Sequence, residues 1–174
     1  MSYTITAASP DTSDAVALID ELEASLDPLY PRSSRHGLSV AQLLDQRVAF
    51  FLIHSEGVMV GCGGVLLVGA DDGDYGDYGE VKRMYVRPPF RGRGLARAML
   101  DHLALYALAQ GVTLLRLETG VHQHDAIALY ERWGFTRIPP FGDYKEDPLS
   151  LFFEKRITAD DPLPHLPCWR GNRS

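Results

Sequence analysis

Apolar residues recur along this chain with two periods, and the switches between them divide it into elements. Tyr3 to Ala7 alternates as a short strand. Val16, Ile19, Leu22 and Leu26 then share one stripe of a helix over Asp11 to Leu26, with Ser13 and Asp14 as start signals. Ser39-Val40-Ala41-Gln42 matches a capping box and predicts a second, short helix with Leu43 and Leu44 on its apolar side. Ala49 to His54 and Val58 to Val68 are β-rich runs. Ser55-Glu56-Gly57 between them has the length and the glycine of a hairpin loop, so the two should pair antiparallel. A loop of Asp, Gly and Tyr, Gly69 to Gly79, leads to a strand over Glu80 to Val86 that stops at Pro88-Pro89. Leu95 to Gln110 carries Leu95, Met99, Leu103 and Tyr106 on one stripe and ends at Gly111, where a left-handed C-cap is expected. Leu114 to Thr119 reads as a buried strand and Ala126 to Trp133 as a two-turn helix closed by Gly134. Phe135 to Arg137 and Leu149 to Arg156 supply the last strands.

The order β-α-α-β-β-β-α-β-α-β-β predicts a mixed α/β domain in which Glu80 to Thr119 is a β-α-β unit with parallel strands. Residues 1–157 form that single domain, and residues 158–174, with Pro162, Pro164 and Pro167, an extended or loosely docked tail.

Composition narrows the function. A chain of 174 residues that is 45% hydrophobic can bury one real core. Its net charge of −6 argues against nucleic acid as a partner, because phosphate backbones need a basic face. No apolar run approaches the roughly 18 residues of a membrane span, and the first ten residues hold no Lys or Arg, so neither a membrane partner nor a signal peptide is read. Cys62 and Cys168 form neither a disulfide framework nor a metal-ligand spacing, which fits a reducing, cytoplasmic setting. His122 and His124 lack a third ligand at a set spacing, and Asp71, Asp72, Asp74 and Asp77 do not match an EF-hand, so no metal is expected. A homodimer is open, as the commonest soluble assembly.

The candidate chemistry begins at Arg91-Gly92-Arg93-Gly94-Leu95-Ala96, which joins a strand to the long helix. The glycines let backbone approach a ligand, and the free N–H groups of the first helical turn make an anion site. The run lacks the Lys-Ser/Thr of a P-loop and the full dinucleotide fingerprint. By itself it also fits an ordinary Gly-rich turn.

Together with the strand Val81-Lys82-Arg83-Met84-Tyr85-Val86 and the segment Ala126-Ile127-Ala128-Leu129-Tyr130-Glu131-Arg132-Trp133-Gly134-Phe135, this loop resembles the signature motifs of the GCN5-related N-acetyltransferases. The resemblance covers roughly Tyr3 to Arg156 and implies the GNAT (acyl-CoA N-acyltransferase) fold: a mixed, mostly antiparallel central sheet with a parallel β-α-β unit, flanked by helices. It also implies acetyl-CoA as co-substrate. Its pyrophosphate would rest on the amides of Arg91, Gly92, Arg93, Gly94, Leu95 and Ala96, and its pantetheine arm would pair with Met84, Tyr85 and Val86. Gln123 stands where many members have an Asn that touches the cofactor. Tyr130 matches the family's general acid, and Glu80 lies where the histone acetyltransferases place the general base. Ile138-Pro139-Pro140-Phe141-Gly142-Asp143-Tyr144 is similar to a small bacterial branch of mostly unassigned acceptor, which makes Phe141 and Tyr144 pocket walls.

Strand alternation sets Arg83 and Tyr85 opposite Glu80 unless a bulge intervenes. Arg83 then binds an acidic part of the acceptor or forms a structural salt bridge, and Glu118 on the next strand is a rival base. Cys62 has no neighbouring base in sequence, so direct attack by a small-molecule or protein amine in a ternary complex is expected. The alternatives are a non-catalytic acyl-CoA-binding sensor and an interaction module using the tail. Charge is segregated: Asp71, Asp72, Asp74, Asp77 and Glu80 precede Lys82, Arg83, Arg87, Arg91, Arg93 and Arg97, a basic block suited to CoA beside an acidic one suited to a cationic amine.

Overall fold

Local signals set most element ends in the computed structural model, which describes residues 2–69 and 77–163. Asp71, Asp72, Asp74, Pro164, Pro167 and Cys168, named above, lie outside those residues. Strand β1 is Tyr3–Ala7 and helix α1 is Ser13–Leu26. Thr12, rather than Ser13 or Asp14, caps α1, accepting the Ala15 N–H on its Oγ1 at 3.4 Å. Helix α2, Val40–Asp45, has the full capping box: Gln42 N–H donates to Ser39 Oγ at 3.2 Å and Ser39 N–H to Gln42 Oε1 at 2.9 Å. Strands β2, Ala49–Ser55, and β3, Val58–Val68, are joined by Glu56 and Gly57. Both have positive φ, 54° and 76°, as a tight hairpin turn requires. Strand β4, Tyr78–Val86, starts two residues before the predicted Glu80. Helix α3 is Leu95–Ala109, β5 is Leu114–Gly120, and α4 is His124–Trp133, beginning ahead of the predicted Ala126. The last strands are β6, Thr136–Ile138, and β7, Ser150–Arg156.

The strands form one seven-stranded sheet in the order β1-β2-β3-β4-β5-β7-β6, antiparallel throughout except for parallel β4 and β5. One face packs against α3 and α4 through Leu95, Met99, Leu103, Leu115, Tyr130 and Phe153. The other packs against α1 and α2 through Leu18, Ile19, Leu43, Phe50, Leu52 and Cys62. Beyond β7, the segment after Arg156 begins docked: Asp161 accepts the Thr158 N–H at 2.6 Å and pairs with Lys155 at 3.1 Å, and Leu163 packs on the core.

Two irregularities of β4 shape the middle of the sheet. Its pairing with β5 covers only Gly79↔Leu115 and Glu80↔Arg116, after which the two strands part. Its pairing with β3 slips between Cys62 and Gly64, so that Arg83 and Met84 together oppose Gly63, and Arg83 has φ 54°. This β-bulge reverses the plain alternation of the strand. Val81, Met84 and Val86 pack toward α3, whereas Tyr85 joins the α1 face, and Arg83 reaches Glu23 of α1. Arg83 and Tyr85 therefore share the face of Glu80 instead of opposing it. Gly63 fits the spot because a Cβ there would lie 2.7 Å from Met99 Cγ and 2.8 Å from Met84 Sδ.

Candidate active site

The parting of β4 and β5 leaves residues 81–86 with an edge that β5 does not use. At the end of that edge stands the glycine loop. Gly92 and Gly94 are left-handed, φ 74° and 78°, and nothing lies within 4 Å of a Cβ built on either. Conformation, not crowding, therefore requires glycine there. Gly94 is the N-cap of α3 and offers no side-chain cap, so the first-turn N–H groups of the helix point out of the loop. Arg91 folds back, its Nε donating to Val86 O at 2.8 Å and its guanidinium 5.6 Å from the Tyr85 ring. Arg93 lies 5.2 Å from the Phe90 ring and 3.9 Å from Glu56, Leu95 is buried and Ala96 is half-buried.

A cavity of about 100 Å³ lies in the gap between the strands, smaller than a pocket that encloses a whole small molecule. Val81, Met84, Gln123 and Tyr130 line it together with Glu80, Lys82, Arg83, Glu118, His36 and Tyr144. Tyr130 is buried, its ring 5.8 Å from Phe135 and 6.5 Å from Phe153. Burial, with a smaller push from Glu118, raises its phenol well above the ordinary value. Glu118 is itself raised, chiefly by burial, against the pull of Ser150, His36 and Lys82. Gln123 turns its Oε1 back onto the turn, accepting from Gly120 N–H at 3.1 Å and Thr119 Oγ1 at 3.2 Å.

Glu80 is buried and closes a triangle. Lys82 Nζ lies 2.7 Å from its Oε1, Tyr144 Oη donates to the same oxygen at 2.6 Å, and Lys82 Nζ donates to Tyr144 Oη at 2.8 Å. Phe141 sits behind Tyr144, ring centroids 5.2 Å apart, and lies outside the cavity lining. Arg83 donates from Nε to Leu38 O at 2.8 Å and pairs through Nη1 with Glu23. Cys62 donates its thiol to Arg83 O at 3.3 Å, and burial pushes its pKa up to about 12, so it is protonated and inert at neutral pH.

Several residues of this site carry no sequence signal. Tyr30 Oη accepts the His122 N–H at 2.8 Å, and its ring fills the space that a side chain at Gly120 would need. His36 packs edge-on against Tyr144, 5.5 Å between centroids, with its Nε2 3.6 Å from Asp147 Oδ2, so the loops before α2 and before β7 meet over the cavity. The loop before α2 has neither a hydrophobic period nor a motif to mark it, and the loop before β7 is marked only by the run Ile138 to Tyr144, short of Asp147. Among the described residues no helix is long and apolar enough to cross a membrane, and no three His, Cys, Asp or Glu side chains are grouped to hold a metal.

The family model described as acetyltransferase (GNAT) family matches residues 16–135. A protein of Azospirillum brasilense named IAA acetyltransferase is 43% identical over 156 residues, spanning 90% of this chain and 99% of its own. A crystal structure from Klebsiella pneumoniae, described as an acyl-CoA N-acyltransferase, superposes with a TM-score of 0.73 at 38% identity, covering 90% of this chain and 98% of the other. The PaiA N-acetyltransferase of Thermoplasma acidophilum, solved in complex with coenzyme A, superposes with a TM-score of 0.68 over 90% of this chain and 100% of its own. Its identity is 15%, so that likeness concerns the fold alone.

Proposed function

The chain belongs to the acetyltransferase (GNAT) family, and on that premise we propose that it passes the acetyl group of acetyl-CoA directly to a primary amine, of a small molecule or a protein, within a ternary complex. The observation that carries this reading is the unpaired edge of β4 over residues 81–86, leading from the glycine loop to the cavity between Tyr130 and Glu118. An amide-containing arm fits such an edge as an added strand, and the first-turn amides of α3 fit a pyrophosphate. Bound there, acetyl-CoA supplies an activated acyl carbon and a thiolate leaving group.

The chain's own groups meet the remaining demands. A backbone N–H near Tyr85 polarises the thioester carbonyl. Glu118 takes the proton of the attacking ammonium, because burial has moved its pKa toward neutrality, where a general base works best. Glu80 is the weaker choice, since Lys82 and Tyr144 already occupy its Oε1 and leave only Oε2 to receive a proton. Tyr130, kept protonated by its apolar surroundings, donates to the sulfur as negative charge grows there. The unreactive thiol of Cys62 supports transfer without a covalent enzyme intermediate.

The acceptor panel to test spans polyamines, amino-acid derivatives, peptides with free N-termini and, from the name of the Azospirillum relative, IAA. Mass spectrometry of the intact protein after mixing with acetyl-CoA alone tests the route. The unmodified mass is expected, with initial rates that depend jointly on both substrates; an acetylated protein competent to pass its acetyl group onward would overturn direct transfer.

A further inference from the structure

The backbone of Arg83 lies in the left-handed region, at φ 54°, which glycine adopts freely and arginine does not. Its surroundings hold it there at three points. Its carbonyl accepts the Cys62 thiol, its Nε donates to Leu38 O at 2.8 Å, and its Nη1 pairs with Glu23 of α1. The side chain is only 5% exposed, unlike the surface pairs that contribute little. Glu23 also binds Arg35 at 3.2 Å, and Arg35 binds Asp27 at 2.5 Å, so the end of α1 holds Arg35 directly and Leu38 through Arg83. The backbone of that loop lies directly on the guanidinium, since a Cβ on Gly37 would fall within it.

We propose that Arg83 is a positioning residue that latches the acceptor-side loop, residues 35–39, to the bulge of β4, so that the cofactor strand and the acceptor wall are held or released together. The proposal rests on reading β4 as the cofactor strand. The fork of arginine suits the role: Nε and Nη1 present two donors in fixed directions to a carbonyl and a carboxylate, a geometry that the single, freely rotating ammonium of a lysine does not preset. In this arrangement Arg83 acts through Leu38 and Glu23 and need not touch an acidic group on the acceptor.

Two variants separate the latch from the bulge. Arg83→Gly keeps a residue at home in the left-handed region while removing the guanidinium. Gly37→Ala displaces the guanidinium from the opposite side and leaves β4 untouched. Hydrogen–deuterium exchange is followed in wild type and both variants, with and without acetyl-CoA. Without ligand, both variants should exchange faster over residues 35–39 by about tenfold or more, on the scale of local opening, while β5 and β7 are unchanged. With acetyl-CoA, wild type should gain protection over both 81–86 and 35–39. In Arg83→Gly only 81–86 should gain it, at an affinity within about threefold of wild type. Unchanged exchange at 35–39 in the variants, protection reaching 35–39 without Arg83, or uniform acceleration of every segment would overturn the latch. If acetyl-CoA leaves residues 81–86 of wild type unprotected, the cofactor reading fails instead, and the ligand-free comparison still decides the latch.

Discussion

Tyr130 and Glu118 are raised by the same cause, burial, with opposite consequences for chemistry. A raised phenol remains a donor throughout the neutral range, whereas a raised carboxyl is a better base once it has ionised. Tyr130→Phe should lower turnover about a hundredfold, within the usual range for a lost general acid, and leave acetyl-CoA affinity within about twofold. Thiol release and titration calorimetry measure the two quantities. The base must be deprotonated to act, so kcat/KM should rise with pH along a limb lying above the ordinary Glu value of about 4.3. Glu118→Gln should abolish that limb. Glu80→Gln should keep it, because Glu80 is held in the Lys82 and Tyr144 triangle; the reverse pattern would return the base to Glu80. Asp101, on α3, accepts the Trp133 Nε1–H at 2.9 Å and is raised by burial. A carboxyl whose folded pKa exceeds its unfolded one costs stability when ionised, and the cost fades as pH falls through the raised value. Asp101→Asn keeps the acceptor and should be no less stable than wild type at pH 7. Asp101→Ala should lose about 1–2 kcal/mol by orphaning the indole, both read from denaturant melts.

At the scale of elements, what local chemistry determines was legible in the sequence. The capping box at Ser39, the hairpin at Glu56-Gly57 and the glycine stops at Gly111 and Gly134 stand where the residues put them. The start of α1 shifted because Thr12, Ser13 and Asp14 are all good caps, and the choice falls to Ser9 O, which accepts from Thr12 Oγ1 at 3.0 Å. The bulge at Arg83 was open in the sequence only as a possibility, since it depends on which β3 residues lie opposite, Cys62 and Gly63. Tyr30, His36 and Asp147 left no trace, because their roles arise where two aperiodic loops meet. In the glycine loop, Gly94→Glu introduces charge and bulk at the N-cap of α3. Acetyl-CoA affinity should fall at least tenfold on calorimetry, while the fold loses only about 1–2 kcal/mol for a side chain in the left-handed region.

Across the whole molecule, the net charge of −6 resolves into pairs and a remainder. Of the basic block in the sequence, Lys82 is taken by Glu80, Arg83 by Glu23 and Arg87 by Glu21, each at least partly buried. Arg91, Arg93 and Arg97 are exposed at the glycine loop and the first turn of α3, with Arg91 folded onto Val86 O and Arg93 3.9 Å from Glu56. The gap between β4 and β5 opens beside the loops before α2 and β7, and the glycine loop follows the far end of β4. The most direct test of this account is the release of free thiol from acetyl-CoA by the purified protein across a panel of primary amines, with the acetylated product quantified alongside. The account predicts release that requires both protein and amine and matches the N-acetylated amine mole for mole. Tight binding of acetyl-CoA with no amine-dependent thiol release for any class would contradict it and leave an acyl-CoA sensor.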